Sequence, residues 1–265
     1  MPTPLAHHVI LRRASNAVLA PTTAARRALA RAVLSAGRDA ELFAFFAPDG
    51  HLHAAVGADR AAAGRFAQRT LLALRAALPG GGDFAPAYVK PVEDQAHLRR
   101  LVPYILDQAA HHGVSAPVGL EASNLPDLLG LRVTGAYTIP NLRARLPRLD
   151  GAELRRWLGV ADLAPRLVPE GLADAAAAAV GRAELTGREP EVLDAKGAGV
   201  RAARGVLTPT EAGARLGLPR ATAWRLAERT VPDTLVRAVL LQCDARARLG
   251  AALSPALPYS DAAAH

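Results

Sequence analysis

The chain is poor in several residue types, and each scarcity narrows the chemistry. A single cysteine, Cys243, in 265 residues excludes an intrachain disulfide framework and a zinc site built on several thiolates. Aromatic residues make up only 4% of the sequence, and much of the hydrophobic fraction is alanine. Alanine buries little area per residue, which predicts many small helices around a modest core. No stretch of about 18 uncharged apolar residues occurs, so no segment reads as a membrane span. The opening residues Met1 to His8 show no apolar signal core behind basic residues, and the expected compartment is the cytoplasm. Lysine is nearly absent: Lys90 and Lys196 are the only two, so arginine carries the positive charge.

What is present is a hydrophobic fraction of 51%, sufficient for a real core, and a formal net charge of +8. That charge points to a polyanionic partner, nucleic acid before anionic membrane. The excess of arginine and alanine is also what a GC-rich genome produces, so charge alone does not decide.

Periodicity and turn residues organise the first 113 residues. His8 to Arg12 reads as a strand, and Thr22 or Thr23 caps a helix over Ala24 to Ala36 that Gly37 ends. Glu41 to Ala47 reads as a second strand, Pro48-Asp49-Gly50 as a hairpin turn, and His51 to Val56 as the returning strand. An amphipathic helix follows from Asp59 to Leu78, broken by Pro79 to Asp83. Tyr88 to Pro91 is a short strand, and Glu93 or Asp94 opens a helix running to His112 and stopping at Gly113. The resulting order, β-α-β-β-α-β with an added helix, is the ferredoxin-like pattern of an α+β fold. Beyond it the chain divides into a helical extension over residues 116–185 and a last unit over 186–265, beginning with a linker at 186–200 and ending in a frayed tail.

Seven of the eight histidines fall in the first 112 residues. His51 and His53 sit at i and i+2 of a strand and so share a face. Two imidazoles on one face can grip a divalent cation; they can equally be half-exposed strand residues. Tyr104 and Gln108 lie four apart on a helix and share a face there, beside a core stripe of Leu98, Leu101 and Ile105. That pair reads either as chemistry or as an edge tyrosine with a solvated glutamine. Pro103 is expected to kink the helix or interrupt its bonding just before Tyr104, and His111 and His112 follow one turn later. Taken together, the two pairs make sense: a tyrosine can attack a phosphodiester that a metal, held by two imidazoles and an amide oxygen, polarises. Oxygen and imidazole ligands suit Mg²⁺ or Mn²⁺.

The segment His7 to Arg12, the hairpin Phe43 to His53, and Pro91 through Gln108 resemble the HUH single-tyrosine transposases, most of all the branch of REP-associated tyrosine transposases. The resemblance covers roughly the first half of the chain. It implies a metal-dependent enzyme that nicks and joins single-stranded DNA through a 5′-phosphotyrosine, with Tyr104 as nucleophile and His51, His53 and Gln108 as metal ligands. A single-stranded hairpin is the implied partner. Two departures stand out: Pro48-Asp49-Gly50 is one residue longer than the family's Pro-Asn before the first histidine, and the arginines and asparagine of the post-strand loop are only partly echoed by Arg12, Arg13, Ser15 and Asn16.

Near the carboxy terminus, Thr208 to Leu226 reads as a helix-turn-helix. Thr208 caps, Pro209 takes the first helical position, Glu211 completes a capping box and Gly217 ends the first helix. Arg220 to Arg229 is then the recognition helix, with Arg220, Thr222, Arg225 and Arg229 as DNA-contacting candidates. A plain helical hairpin with Trp224 in its core is the alternative. At the level of function the alternative is a non-cleaving helix-turn-helix regulator. Monomer and homodimer both remain open.

Overall fold

Strands β1 (Ala6–Arg12), β2 (Leu42–Phe46), β3 (His51–Val56) and β4 (Tyr88–Val92) form one antiparallel sheet in the order β2-β3-β1-β4. The computed structural model describes residues 4–15, 17–78, 82–108 and 116–250. Asn16, Pro79 to Gly81, the segment with His111, His112 and Gly113, and the tail beyond Gly250 lie outside the described residues.

Helix α1 (Thr23–Gly37) starts where Thr22 accepts a hydrogen bond from the Ala25 amide. Asp59 caps α2 (Arg60–Ala77) and Asp94 caps α3 (Gln95–Leu106) in the same way, each satisfying an amide that the first helical turn leaves without a carbonyl. Helix α1 packs along α2, which crosses β1 and β4, while α3 crosses β2 and β3. Strand alternation assigns the faces. His7 points toward the start of α2, bonding the Ala58 carbonyl at 3.0 Å, whereas His8 and His53 meet Tyr104 of α3. Helix α3 continues through Pro103, although the ring removes the amide that would bond the Arg99 carbonyl. Its continuous span ends at Leu106; the expected end at His112 lies outside the described residues.

Between residues 116 and 158, four short helices follow: α4 (Ala116–Ala122), α5 (Leu125–Leu128), α6 (Thr138–Arg145) and α7 (Gly151–Leu158). They pack against the α1 side of the sheet domain and against β2. Helices α8 (Leu172–Ala179), α9 (Pro190–Ala202), α10 (Pro209–Arg215), α11 (Arg220–Ala227) and α12 (Asp233–Leu249) build a second apolar cluster, rich in alanine as the composition predicts. Leu241 and Ala245 of α12 reach back into the first cluster.

The linker expected at 186–200 is a correction: most of it is the buried helix α9. Pro190 and the glycines there read as breakers, but each has a helical role. Pro190 occupies the first turn, where a missing N–H costs nothing. A side chain at Gly197 or Gly199 would come within 3.1 Å of Val231 or Leu216, so these glycines permit close helix packing.

A buried ionic network joins the two clusters. Arg27 of α1 and Arg246 of α12 both bond the Glu121 carboxylate of α4, and both reach Asp174 of α8. Among the described residues, no helix is long and apolar enough to cross a membrane.

Candidate active site on the α3 face of the sheet

Strand β3 begins directly after the turn at Pro48 to Gly50, and its alternation places His51 and His53 side by side, ring centroids 4.6 Å apart. The turn does more than reverse the chain. The Asp49 carboxylate lies 2.6 Å from His51 Nδ1. With Nδ1–H given to Asp49, the neutral imidazole keeps its lone pair on Nε2, the arrangement in which a carboxylate orients a ligating histidine.

His53 is buried, and its Nδ1 sits 3.1 Å from His8 Nε2. The register of β1 against β3, Ile10 opposite His53, puts His8 diagonally across from it on the same face. Burial pushes the His8 imidazole down to about 4, helped by the positive charge of His97 and Lys90. His8 is therefore neutral near pH 7, and one ring of the pair donates while the other accepts.

Helix α3 supplies Tyr104. Its ring is edge-on to His53 at 5.4 Å and to His8 at 6.4 Å, yet 45% of the residue is exposed, so a substrate can reach it. One turn later Gln108 is fully buried. Its amide nitrogen bonds the Tyr104 carbonyl, and its Oε1 has no hydrogen-bond partner among the described residues. A buried amide oxygen left without a donor costs on the order of 1–3 kcal/mol. An oxygen in that state is suited to a cation. Among the described residues, no three His, Cys, Asp or Glu side chains gather as a metal cluster. The oxygen and nitrogen donors nearest Tyr104 are thus the imidazoles of His53 and His8, with His51 beside His53, and the amide of Gln108 on the Tyr104 carbonyl. That donor set is compatible with Mg²⁺ or Mn²⁺, which retain waters readily.

Arg12 is exposed and pairs in register with His51, at the edge of this site. The guanidinium of Arg13 lies across Gly82, 2.9 Å from where a Cβ would stand. A groove of about 690 Å³ along α3 is lined by Gln95, Arg99, Pro103, Arg145, Arg148 and Glu153. Arg145 is committed to the fold, paired with Glu41 and stacked 5.2 Å over Phe43. Arg99 and Arg148 are exposed and carry no ion pair among the described residues.

The carboxy-terminal candidates are elsewhere: Arg220, Thr222 and Arg225 on α11, which packs on α9 and α10, and Arg229 just past its end. Arg220 and Arg225 are exposed, and Thr222 accepts a bond from Arg225. Arg229 is held by Asp194 at 2.7 Å. Trp224 is 49% exposed, which removes it from the core where the helical-hairpin alternative placed it.

Of the residues the sequence singles out, the structure sets His51 beside His53, His53 beside Tyr104 and the Gln108 amide on the Tyr104 carbonyl; His8, Asp49, Arg99 and Arg148 are not singled out. His8 and Asp49 both stand inside the segments that carry the family resemblance, so that was the available signal. Nothing local marked the two arginines. Comparison with family models, with curated proteins and with solved structures finds no match.

Proposed function

We propose that the protein is a metal-dependent enzyme that nicks and rejoins single-stranded DNA through a 5′-phosphotyrosine, in the manner of the HUH single-tyrosine transposases. The observation that carries this reading is the assembly of Tyr104 against His53 and His8, with His51 beside His53 and a Gln108 oxygen that has no hydrogen-bond partner among the described residues four positions on. The strand order β2-β3-β1-β4 within a β-α-β-β-α-β sequence supports a ferredoxin-like description of the amino-terminal half.

His51, His53 and Gln108 would hold Mg²⁺ or Mn²⁺, which when bound supplies polarisation of the scissile phosphate. Asp49 and His8 orient the two imidazoles. Tyr104 Oη loses its proton and forms the new bond to phosphorus, while the bond from phosphorus to the 3′ oxygen breaks and that oxygen leaves as a hydroxyl. Attack by a 3′-hydroxyl on the phosphotyrosine reverses the step. The groove with Arg99 and Arg148 supports a polyanionic strand running past Tyr104.

In the carboxy-terminal region, α10 and α11 support a helix-turn-helix reading. Thr208 and Glu211 form a reciprocal capping box, Gly217 turns with φ +65°, and the helices cross so closely that a Cβ at Gly213 would stand 2.4 Å from Ala223. The test is direct. Purified protein is incubated with Mn²⁺ or Mg²⁺ and labelled single-stranded hairpin oligonucleotides, and a covalent protein–DNA adduct is sought. Its formation is the expected result. Absence across both metals and a broad hairpin set favours the non-cleaving regulator.

A further inference from the structure

Beside α11, away from the tyrosine site, lies a second basic cleft of about 580 Å³ between α9 and the turn that leads into α11. Its charged lining consists of Arg188, Lys196, Arg225 and Arg229, with no carboxylate among the lining residues. Asp194 answers Arg229. Among the described residues, none of the other three cations is ion-paired: Lys196 reaches only the Gly187 carbonyl, at 3.4 Å, and Arg225 only the Thr222 hydroxyl. The contrast with the surrounding helices is informative. Arg27, Arg31, Arg182, Arg201 and Arg246 each meet an acid. Within the cleft Arg229 is likewise neutralised, whereas Arg188, Lys196 and Arg225 have no ion pair among the described residues. Lys196 is also one of only two lysines in the chain.

We infer that this cleft is a docking site for the phosphodiester backbone of duplex DNA, with Arg188, Lys196 and Arg225 contacting phosphates while α11 meets the bases. Three features select this occupant. Unneutralised cations complement a row of phosphates and gain by releasing counterions. The lining has no aromatic ring, so it lacks the stacking platform that single-strand sites use. The exposed side of α11 carries Arg220, Ala221 and Trp224 along an eight-residue helix, a length that fits a major groove about 12 Å wide. Only its base contacts by α11 rest on the helix-turn-helix reading, and none of it rests on the tyrosine chemistry, so failure of adduct formation leaves it standing.

The test is fluorescence anisotropy of the full chain with a labelled duplex of about 20 base pairs and with its single strand, across a range of salt. Each phosphate contact contributes about 0.9 to the slope of log affinity against log salt. The double variant Arg188→Gln/Lys196→Gln should therefore lower the slope by about two and weaken duplex binding about thirty-fold at about 0.15 M salt, for every sequence alike. A control with the same charge change, Arg65→Gln/Arg75→Gln on the exposed side of α2, should bind as the wild type does. Circular dichroism and thermal melts verify that both fold. Arg220→Gln should alter discrimination between duplex sequences; if it does not while the double variant still loses affinity, the helix-turn-helix reading falls and the cleft stands. An unchanged slope in the double variant overturns the inference. So does an equal loss in the control, or a loss confined to the single strand.

Discussion

Glu121→Gln should destabilise the protein severely, because Glu121 is the anion shared by two buried guanidinium groups. Arg27 and Arg246 are 1% and 8% exposed, and Glu121 is 2% exposed. The only other carboxylate in the network is Asp174, whose side chain is half exposed. Replacing the carboxylate by an amide keeps the volume and leaves two buried cations to share Asp174. Breaking a buried pair in this way costs about 3–5 kcal/mol. For a chain of this size that is a drop in melting temperature on the order of 10 °C. A second arm uses pH. Burial alone would raise the Glu121 carboxyl, but Arg246 and Arg27 overcome it and hold it at about 2, below its ordinary 4.5. A depressed folded value means that the stabilisation is complete above about pH 4.5 and is lost as pH falls from there toward 2. The difference amounts to roughly 3 kcal/mol. Urea unfolding at pH 7 and at steps down to pH 3 measures both quantities, with Glu121→Gln expected to show the shallower dependence on acid. A variant within about 1 kcal/mol of wild type at pH 7, with an unchanged acid profile, would refute the reasoning.

Tyr104→Phe removes one hydroxyl from a half-exposed ring, so it should abolish the adduct while single-strand binding stays within about two-fold, since affinity comes mainly from phosphate contacts; adduct in Tyr104→Phe and none in Tyr88→Phe would assign the wrong tyrosine. His51→Ala and His53→Ala should each lose metal-dependent cleavage with the phenol still present, as read on a gel with and without chelator, and persistence of cleavage in both would end the metal-site proposal. Deleting residues 186–265 strips α9, α10 and α12 from α8 and takes Arg246 from Glu121. The shortened chain should lose its cooperative melt, whereas a soluble 1–185 fragment that unfolds in one transition would show that the two clusters are separable.

Local chemistry determined much of this protein from sequence alone. Thr22, Asp59, Asp94 and Thr208 start helices because each places an oxygen acceptor before amides that no carbonyl serves. Strand alternation put His51 and His53 on one face, and helical spacing put Tyr104 and Gln108 on another, because both periods are properties of the backbone. Tertiary structure decided what those faces meet. His8 joins His53 across 45 residues through the register of β1 on β3, which no local pattern encodes. Gln108 reads from sequence either as a ligand or as a solvated side chain, and the packing of its segment buries it fully. Residues 186–200 read as a linker, yet most of them form α9, where Val231 and Leu216 close on Gly197 and Gly199. Glu121 is 94 residues from Arg27 and 125 from Arg246, so their buried network exists only once the helices of both clusters have packed. Hydrogen-bond caps and side-chain periods act within a few residues, whereas packing, charge pairing and register act between segments that the chain brings together only by folding.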